Sequence, residues 1–361
     1  MAVRYYETLH SRDDVTTTTT LLHEAIPLTG TIVSGTYGVF RSERNIKNYT
    51  HGQFQSVYDY PFLSSSANHI FDLALGYDES SGLSGSTSVQ NSKKINMYNQ
   101  FAQVLLGYTS STSDGIRKFE PDLTLDGNRY MKEVFFVNFS RLLTKDQIKK
   151  GSFSITVGTG SWATPFNAGG GVGTKTLTDA SASVNGDGTL NVDGGDYGVL
   201  YSGSSGPSGQ GACGLIFYQA GIAILTASVF DNTTLDFHKS DSTGTPFQTP
   251  TEAFTGSAIS SSCDALRHRI QNISYNNTTA INSKIYFCRV PHNKFNYSAN
   301  PSYVSGSKIV IKNESVDNPV TYITTVGLYN EANELLAVAK LSEPLKKTPT
   351  NDITIRVRLD F

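Results

Sequence analysis

One segment of the sequence comes close to a phosphate-binding loop, the glycine-rich stretch Gly169–Thr176 (GGGVGTKT). Such a loop needs a second glycine directly before its Lys-Thr pair and a helix behind it, because backbone N–H groups and the helix start hold the phosphates. Thr174 occupies the position of that glycine, and no amphipathic helix follows. The segment is therefore typical of a surface loop in a β-rich protein.

Cysteine and histidine are the next residue types that could do chemistry, as metal ligands or nucleophiles. The three cysteines, Cys213, Cys263 and Cys288, lie far apart, whereas zinc ligands stand two to four residues apart. The seven histidines are scattered, with no two at ligand spacing. We therefore expect buried free thiols, no disulfide framework, no metal and no cofactor.

Paired carboxylates leave no local signature, because the two acids of a glycosidase lie far apart in sequence and meet only in the fold. Asp72, Asp78, Glu120 and Asp122 therefore stay open as candidate acids. Only one tryptophan is present to stack on a sugar ring. Since the sequence also has no HExxH and no GxSxG motif, it predicts a protein without catalytic residues.

Composition limits the partners and the class of fold. The 361 residues carry a formal net charge of −2, and only 17% are charged, which argues against nucleic acid as a partner. The amino terminus has no apolar stretch of the kind found in secretory signals, so we expect a protein made in the cytosol. The longest apolar run, Cys213–Phe230, is interrupted by polar residues and indicates buried sheet, not a membrane span.

The elements that would position these residues are mostly strands. Abundant Thr, Ser, Tyr, Phe and Gly, together with short alternating segments, predict a mainly β fold of the α+β class with a few short helices and antiparallel, β-sandwich-like sheets. Apolar residues at helical spacing predict a helix at Ser92–Leu106, and strict alternation predicts a strand at Asp352–Phe361. Further predicted elements are strands at Glu133–Leu143, Phe153–Val157, Leu215–Gln219, Ile222–Val229, Lys284–Val290, Lys308–Lys312, Val320–Tyr329 and Leu335–Leu341, and helices at Lys145–Lys150 and Cys263–Ile273.

A change of composition after residue 157 predicts three regions. These are a mixed α/β region at 1–157, a Gly/Ser/Thr-rich β subdomain or insertion at 158–260, and an antiparallel β region with one helix at 261–361; the first and last can form one domain. Inside the middle region, Asn185–Gly188 is a strong hairpin-turn signal, and Ser202–Gly211 is typical of a flexible loop.

Tyrosine and asparagine cluster in Phe295–Pro301 (FNYSANP). Such residues suit a protein-contact loop, since tyrosine offers a large contact area at small entropic cost. An ordinary ordered turn ending at Pro301 is the alternative, and the residues alone leave both open. Farther along the chain, Lys340, Lys346 and Lys347 are expected to keep a strand edge soluble, and Pro344 and Pro349 are expected to interrupt the strand.

The carboxyl-terminal third resembles a known class of proteins. Lys284–Tyr297, Lys308–Lys312 and Val320–Lys347, with the pattern YITTVGLYN…ELLAVA, resemble virion structural proteins of contractile-tailed bacteriophages, particularly those of marine and cyanobacterial hosts. The likeness is strongest over the last 80 or so residues, and no resemblance covers Gly158–Gly211.

The resemblance implies a non-catalytic subunit of the virion that assembles in the tail or baseplate with copies of itself and other virion proteins, as a homo-oligomer within a symmetric assembly. Alternatives are a neck or capsid-decorating protein, or a host-recognition or glycan-binding appendage protein. The predicted contact residues are Phe295, Tyr297, Tyr303 and Tyr329.

Overall fold

The computed structural model describes residues 6–29, 43–85, 89–109, 112, 114–167, 173–183, 189–202, 211–230, 237, 249–255, 259–298, 301, 304–305, 308–309 and 320–361. The chain divides into two compact units: unit 1 comprises Met1–Leu21 and Ala280–Phe361, and unit 2 comprises Leu22–Thr279. The fold is mainly β with short helices, which confirms the predicted β-rich α+β class.

Strands dominate the described residues. The helices are α1 (Val89–Leu106), α2 (Arg141–Thr144), α3 (Pro250–Phe254) and α4 (Ile259–Arg269), with 3₁₀ turns at Ala180–Ser183 and Ala227–Phe230. The strands are β1 (Val15–Thr29), β2 (Ile46–Asn48), β3 (Gln55–Tyr58), β4 (His69–Tyr77), β5 (Glu133–Phe139), β6 (Gln147–Ile148), β7 (Ser154–Gly158), β8 (Thr174–Thr178), β9 (Thr189–Val192), β10 (Gly195–Ser202), β11 (Ala212–Phe217), β12 (Ile222–Thr226), β13 (Ile270–Val290), β14 (Val304–Ser305), β15 (Lys308–Ile309), β16 (Thr321–Tyr329), β17 (Leu335–Lys347) and β18 (Ile353–Asp360).

Unit 2 is built on an antiparallel sheet in the order β13-β7-β8-β10-β11-β12-β5-β4-β3-β2, with β9 beside β10 and β6 beside β13. Both faces of its central strands are buried. In β5, Phe135 and Val137 join the core that includes α4, whereas Val134 and Phe136 join the core under α1. This double burial explains why β5 has a continuous apolar run without alternation.

Helix α1 packs against the sheet through the face predicted from its periodicity. Tyr98, Ala102 and Leu105 are fully buried in that core. Gly76 of β4 lies directly under the helix, since a Cβ there would stand 2.8 Å from both the carbonyl oxygen of Lys94 and the amide nitrogen of Tyr98. The helix predicted at Ser92–Leu106 is therefore confirmed, with a start three residues earlier.

Unit 1 has a smaller core. Strands β13 and β18 pair over Ser283–Val290 and Ile353–Asp360, and β16 pairs with β17 as a two-stranded hairpin. Among the described residues, its buried apolar cluster consists of Val290, Ile355 and Val357, with partly buried residues of the hairpin packed against it. The strands predicted at Val320–Tyr329 and Asp352–Phe361 are confirmed.

Three local predictions were wrong, besides the strands predicted at Glu133–Leu143 and Ile222–Val229, which end earlier, at Phe139 and Thr226. The helix expected at Lys145–Lys150 is absent, because Gln147 and Ile148 pair with β13 instead and helix α2 ends before them. The helix expected at Cys263–Ile273 ends at Arg269, and its last apolar positions belong to β13, where they are still buried. Nonlocal strand pairing outweighs local helix preference in both places.

The third error concerns Pro344, which lies within β17 and does not end it. The pairing passes from Ile323↔Leu345 to Thr325↔Lys340, so Pro344 lies in a bulge, where the N–H that proline lacks is not needed. The predicted turn at Asn185–Gly188 falls outside the described residues, as do 203–210 of the predicted loop and 310–312 of a predicted strand.

The division into units differs from the boundaries predicted after residues 157 and 260. The Gly-rich region supplies β8, β10, β11 and β12, which stand between β7 and β5 in the sheet, and β9, which pairs with β10. No helix in the described ranges is long and apolar enough to cross a membrane.

Candidate functional site

Three of the four predicted contact residues lie on unit 1, and Tyr303 falls outside the described residues. Phe295 and Tyr297 belong to the loop 291–298 that follows β13, and Tyr329 ends β16. All three side chains are exposed, with fractions of 38%, 59% and 40% respectively. They are therefore accessible to solvent.

A buried lysine positions the loop 291–298. The Nζ of Lys347 donates hydrogen bonds to the carbonyl oxygen of His292 (3.2 Å), to Oδ1 of Asn296 (3.0 Å) and to the carbonyl oxygen of Thr348 (2.8 Å). Lys347 is fully buried, whereas the neighbouring Lys346 is exposed. The expectation that Lys347 keeps a strand edge soluble was thus wrong, because it faces the loop.

A second contact holds the same loop. The hydroxyl of Thr321, at the start of β16, donates to the carbonyl oxygen of Phe295 (3.1 Å). Phe295 has φ +57°, an uncommon conformation for a residue with a side chain. The two anchors, Thr321 and Lys347, thus fix the backbone from which Phe295 and Tyr297 project.

The outer side of the β16–β17 hairpin carries a contiguous apolar surface, which we call the hairpin patch: Tyr329, Leu335, Leu336 and Val338. Leu336 and Val338 are 68% and 56% exposed. Tyr329 pairs with Leu335, and Val338 with Gly327. A Cβ at Gly327 would lie 2.9 Å from Cε2 of Tyr329 and 3.2 Å from Cδ1 of Leu335, so these side chains fold over the glycine and toward each other.

The amino-terminal segment of unit 1 borders the hairpin patch. The rings of Tyr6 and Tyr329 meet edge to face at a centroid distance of 5.1 Å. Nearby ion pairs join Lys294 to Glu7 (2.7 Å) and Arg289 to Asp14 (2.9 Å). The contact with Tyr6 restrains one edge of the Tyr329 ring.

In unit 2, a serine, a histidine and an aspartate come together without forming a nucleophilic triad. Oδ1 of Asp72 accepts from the hydroxyl of Ser56 (2.5 Å) and contacts Nε2 of His69 (2.8 Å). Both groups use the same carboxylate oxygen, so Nε2 of His69 is directed at Asp72 and not at the hydroxyl of Ser56. The adjoining cavity, beside Phe54 and Phe101, measures only about 150 Å³.

The other candidate acids have separate surroundings. Burial acts to raise the pKa of Asp78, but hydrogen bonds from Ser80 and Lys118 outweigh it, and the pKa lies below its usual value. Nζ of Lys118 stands 2.9 Å from Oδ2 of Asp78, so this carboxylate is neutralised by an ion pair. Burial, with the charges of Asp122 and Asp126, raises the pKa of Glu120 to about 7.

Several buried cations of unit 2 are structural. Arg267 pairs with Glu43 (3.0 Å) and Asp264 (3.2 Å), and Arg269 donates to the carbonyl oxygens of Gly160 and Phe237. Arg267 and Arg269 are almost entirely buried, so their ion pairs and hydrogen bonds are needed to offset the cost of removing them from water.

The three thiols, and Lys175 in the described part of the glycine-rich stretch, have structural surroundings. Cys213, Cys263 and Cys288 are free, and burial raises the pKa of Cys263 and of Cys288. Lys175 lies in β8, where its Nζ donates to the carbonyl oxygen of Val229 (3.2 Å). Across the described residues, no group of three or more His, Cys, Asp or Glu side chains is arranged to hold a metal ion.

Sequence reasoning missed the roles of two sets of residues. The sequence analysis assigned a strand to Leu335, Leu336 and Val338 but did not identify them as a surface. In a strand, successive side chains point to opposite faces, so a hairpin of only two strands indicates that one of its faces lacks a covering layer. The buried position of Lys347 was missed because the preceding residue, Lys346, is also a lysine, and the sequence does not distinguish the two. No protein-family model matches the chain, and no curated protein or solved structure is significantly similar to it.

Proposed function

We propose that this chain is a non-catalytic structural subunit of a tailed-phage virion, in the tail or baseplate, and that it assembles through unit 1. The observation that carries the assembly role is the hairpin patch. Large contiguous apolar surfaces on soluble proteins mark sites of protein–protein contact, because leaving them in water is unfavourable. The resemblance of the carboxyl-terminal segments to virion proteins indicates the kind of assembly.

The composition of the surface fits contact with other protein subunits. Aromatic residues are enriched in protein interfaces, and Phe295, Tyr297 and Tyr329 are exposed on unit 1. The loop that carries Phe295 and Tyr297 is anchored by Lys347 and Thr321. Its backbone is therefore ordered before binding, and the entropic cost of ordering it on binding is avoided. Copies of the chain and neighbouring virion proteins are the proposed partners.

Fractionated virions test the proposed location. Quantitative mass spectrometry of purified particles, heads against tails, should find the chain enriched in the tail fraction. Enrichment in heads would contradict the tail or baseplate position and favour a neck or capsid-decorating protein. Absence from both fractions would refute the virion role.

A charged substitution tests the role of the hairpin patch. Val338→Lys should abolish self-association of the purified chain, measured by analytical ultracentrifugation over a range of concentrations, because it places a charge in the middle of the contact. Leu63→Lys is the matched control, since Leu63 is 89% exposed but lies in unit 2. Equal association of the Val338→Lys variant and the unaltered chain would exclude the patch as the contact.

A further inference from the structure

The cavity beside Phe54 and Phe101 lies between helix α1 and strands β4 and β5 of unit 2. Met97 and Phe101 line it from α1, Phe136 lines it from β5, and Phe54 lines it from the segment between β2 and β3. Its volume of about 150 Å³ is that of a cavity that holds one benzene ring. The cavity is therefore too small for a large substrate and large enough for a single six-membered ring.

The aromatic walls of the cavity are held in place by contacts between rings. Phe101 and Phe136 stack on each other at a centroid distance of 4.1 Å and an interplanar angle of 11°. The ring of Phe54 contacts those of Tyr49 (4.7 Å) and His51 (5.0 Å). Aromatic ligands pack well against such rings, in offset or edge-to-face arrangements. The walls are arranged before a ligand enters, which avoids the entropic cost of ordering them on binding.

Two polar side chains line the same cavity. Asp72 and Asn138 stand directly opposite each other in the pairing of β4 with β5, so their side chains share a face, with Cβ atoms about 4.5–5.5 Å apart. Oδ1 of Asp72 contacts Ser56 and His69. Oδ2 of Asp72 and the side-chain amide of Asn138 have no hydrogen-bond partner among the described residues. The cavity wall therefore offers a carboxylate oxygen next to an amide, both available to a ligand.

These groups select the chemistry of the ligand. A hydroxyl both donates and accepts, so one hydroxyl can donate to Oδ2 of Asp72 and accept from the amide of Asn138, whereas an ammonium or an indole N–H only donates. The other five lining side chains are apolar. A sugar would bury its remaining hydroxyls against them without hydrogen bonds, which is costly. An aromatic ring with a single hydroxyl fits both the polar and the apolar lining.

We infer that the cavity binds one phenol ring, with its hydroxyl between Asp72 and Asn138 and its ring against Phe54 and Phe101. The ring can belong to a free phenol or to a tyrosine side chain. This inference concerns unit 2 and does not rest on the proposed virion role.

Methionine methyl groups labelled with ¹³C give a local probe of the cavity in the full chain. The chain has three methionines, Met1, Met97 and Met131, of which Met97 lines the cavity. A bound aromatic ring should shift the NMR signal of the Met97 methyl group, assigned with a Met97→Leu variant, more than the other two. With p-cresol as the ligand, we expect half-saturation of this shift at about 1 mM or below, as for a small ligand in a preformed cavity.

Further ligands test the source of the ring and its hydroxyl. Saturation by both p-cresol and N-acetyltyrosinamide indicates that a tyrosine side chain can supply the ring, and saturation by p-cresol alone indicates a free phenol. Toluene, which lacks the hydroxyl, should bind at least about tenfold more weakly than p-cresol, because a hydrogen bond to a charged group is lost. Methyl glucoside should also bind more weakly, because its other hydroxyls would be buried without partners.

Two variants test the polar residues. Asp72→Asn and Asn138→Leu should each reduce the preference for p-cresol over toluene at least about threefold, because one removes the charged acceptor and the other the amide. A merely structural role of these residues would not change this preference. Asn96→Leu, the same substitution at an exposed position of α1, is the matched control and should leave the preference unchanged.

Four results would overturn the inference. These are no shift of the Met97 signal at up to about 10 mM p-cresol, tenfold above the expected half-saturation; equal affinities for p-cresol and toluene; tighter binding of benzylamine or methyl glucoside than of p-cresol; or equal effects of Asn138→Leu and Asn96→Leu. Circular dichroism establishes that each variant is folded. Should a variant not fold, the ligand series on the unaltered chain still decides whether the hydroxyl is recognised.

Discussion

Replacing Lys347 with methionine should release the loop 291–298 from unit 1. The change keeps a long apolar side chain but removes the ammonium that donates to His292, Asn296 and Thr348. Hydrogen bonds from a charged donor contribute about 1.5–3 kcal/mol each. The substitution also removes the free-energy cost of burying the ammonium, which offsets roughly half of the three hydrogen-bond contributions together. The contact between Lys347 and the loop is then weakened by a net amount of about 2–4 kcal/mol.

Hydrogen exchange followed by mass spectrometry measures this loss locally. The N–H of Lys294 donates to the carbonyl oxygen of Pro291 (3.1 Å), so it reports opening of the loop. A loss of about 3 kcal/mol corresponds to exchange that is about 100-fold faster. Tyr297, which projects from the loop, should then become more accessible to labelling.

Lys346→Met is the matched control, because it makes the same chemical change one residue earlier on an exposed side chain. Its effect should stay within about 0.5 kcal/mol, as is usual for surface substitutions. If the two variants raise exchange in the loop equally, the three hydrogen bonds of Lys347 do not hold it in place, and the account of how Phe295 and Tyr297 are positioned fails.

Three further predictions concern unit 2 and the thiols. Gly76→Ala should lower the thermal midpoint through overpacking of about 1–3 kcal/mol, while Gly85→Ala, with open space around it, should not. Burial lowers the pKa of Lys94 to about 8, so between pH 8 and 10.5 the unfolded chain binds more protons than the folded chain. The free energy of unfolding should therefore rise with pH over that window, by on the order of 3 kcal/mol at most. Lys94→Met should remove this rise, measured by denaturant titration at each pH. Iodoacetamide should modify Cys288 before the fully buried Cys263, and the reverse order in peptide mapping would contradict the burial assigned to them.

The sequence could predict elements whose pattern is local and complete. Helix α1 and strand β18 were found because one face of each is buried over its whole length, which leaves a clear period. The strands predicted at Leu215–Gln219 and Ile222–Val229 correspond to β11 and β12, which pair as a hairpin, and Gly221, with φ +69°, lies in the turn between these two apolar runs. In these cases the residues that decide the structure lie within a few positions of each other.

The remaining features depend on residues far apart in the chain. Gln147 and Ile148 form a strand only because β13, about 130 residues later, pairs with them. Lys346 and Lys347 have identical side chains and opposite surroundings, so only the packing of the loop 291–298 distinguishes them.

The order of strands in unit 2 has a consequence for synthesis on the ribosome. Strands β5 and β7 are separated by 14 residues in the chain, yet four other strands, β8, β10, β11 and β12, stand between them in the sheet. The second neighbour of β5 is β12, which ends at Thr226, and one neighbour of β7 is β13, which begins at Ile270. The nascent chain must therefore hold two incomplete sheet edges until most of its length has emerged. This interval is when aggregation competes with folding, and a chaperone that shields strand edges would raise the yield most at that point.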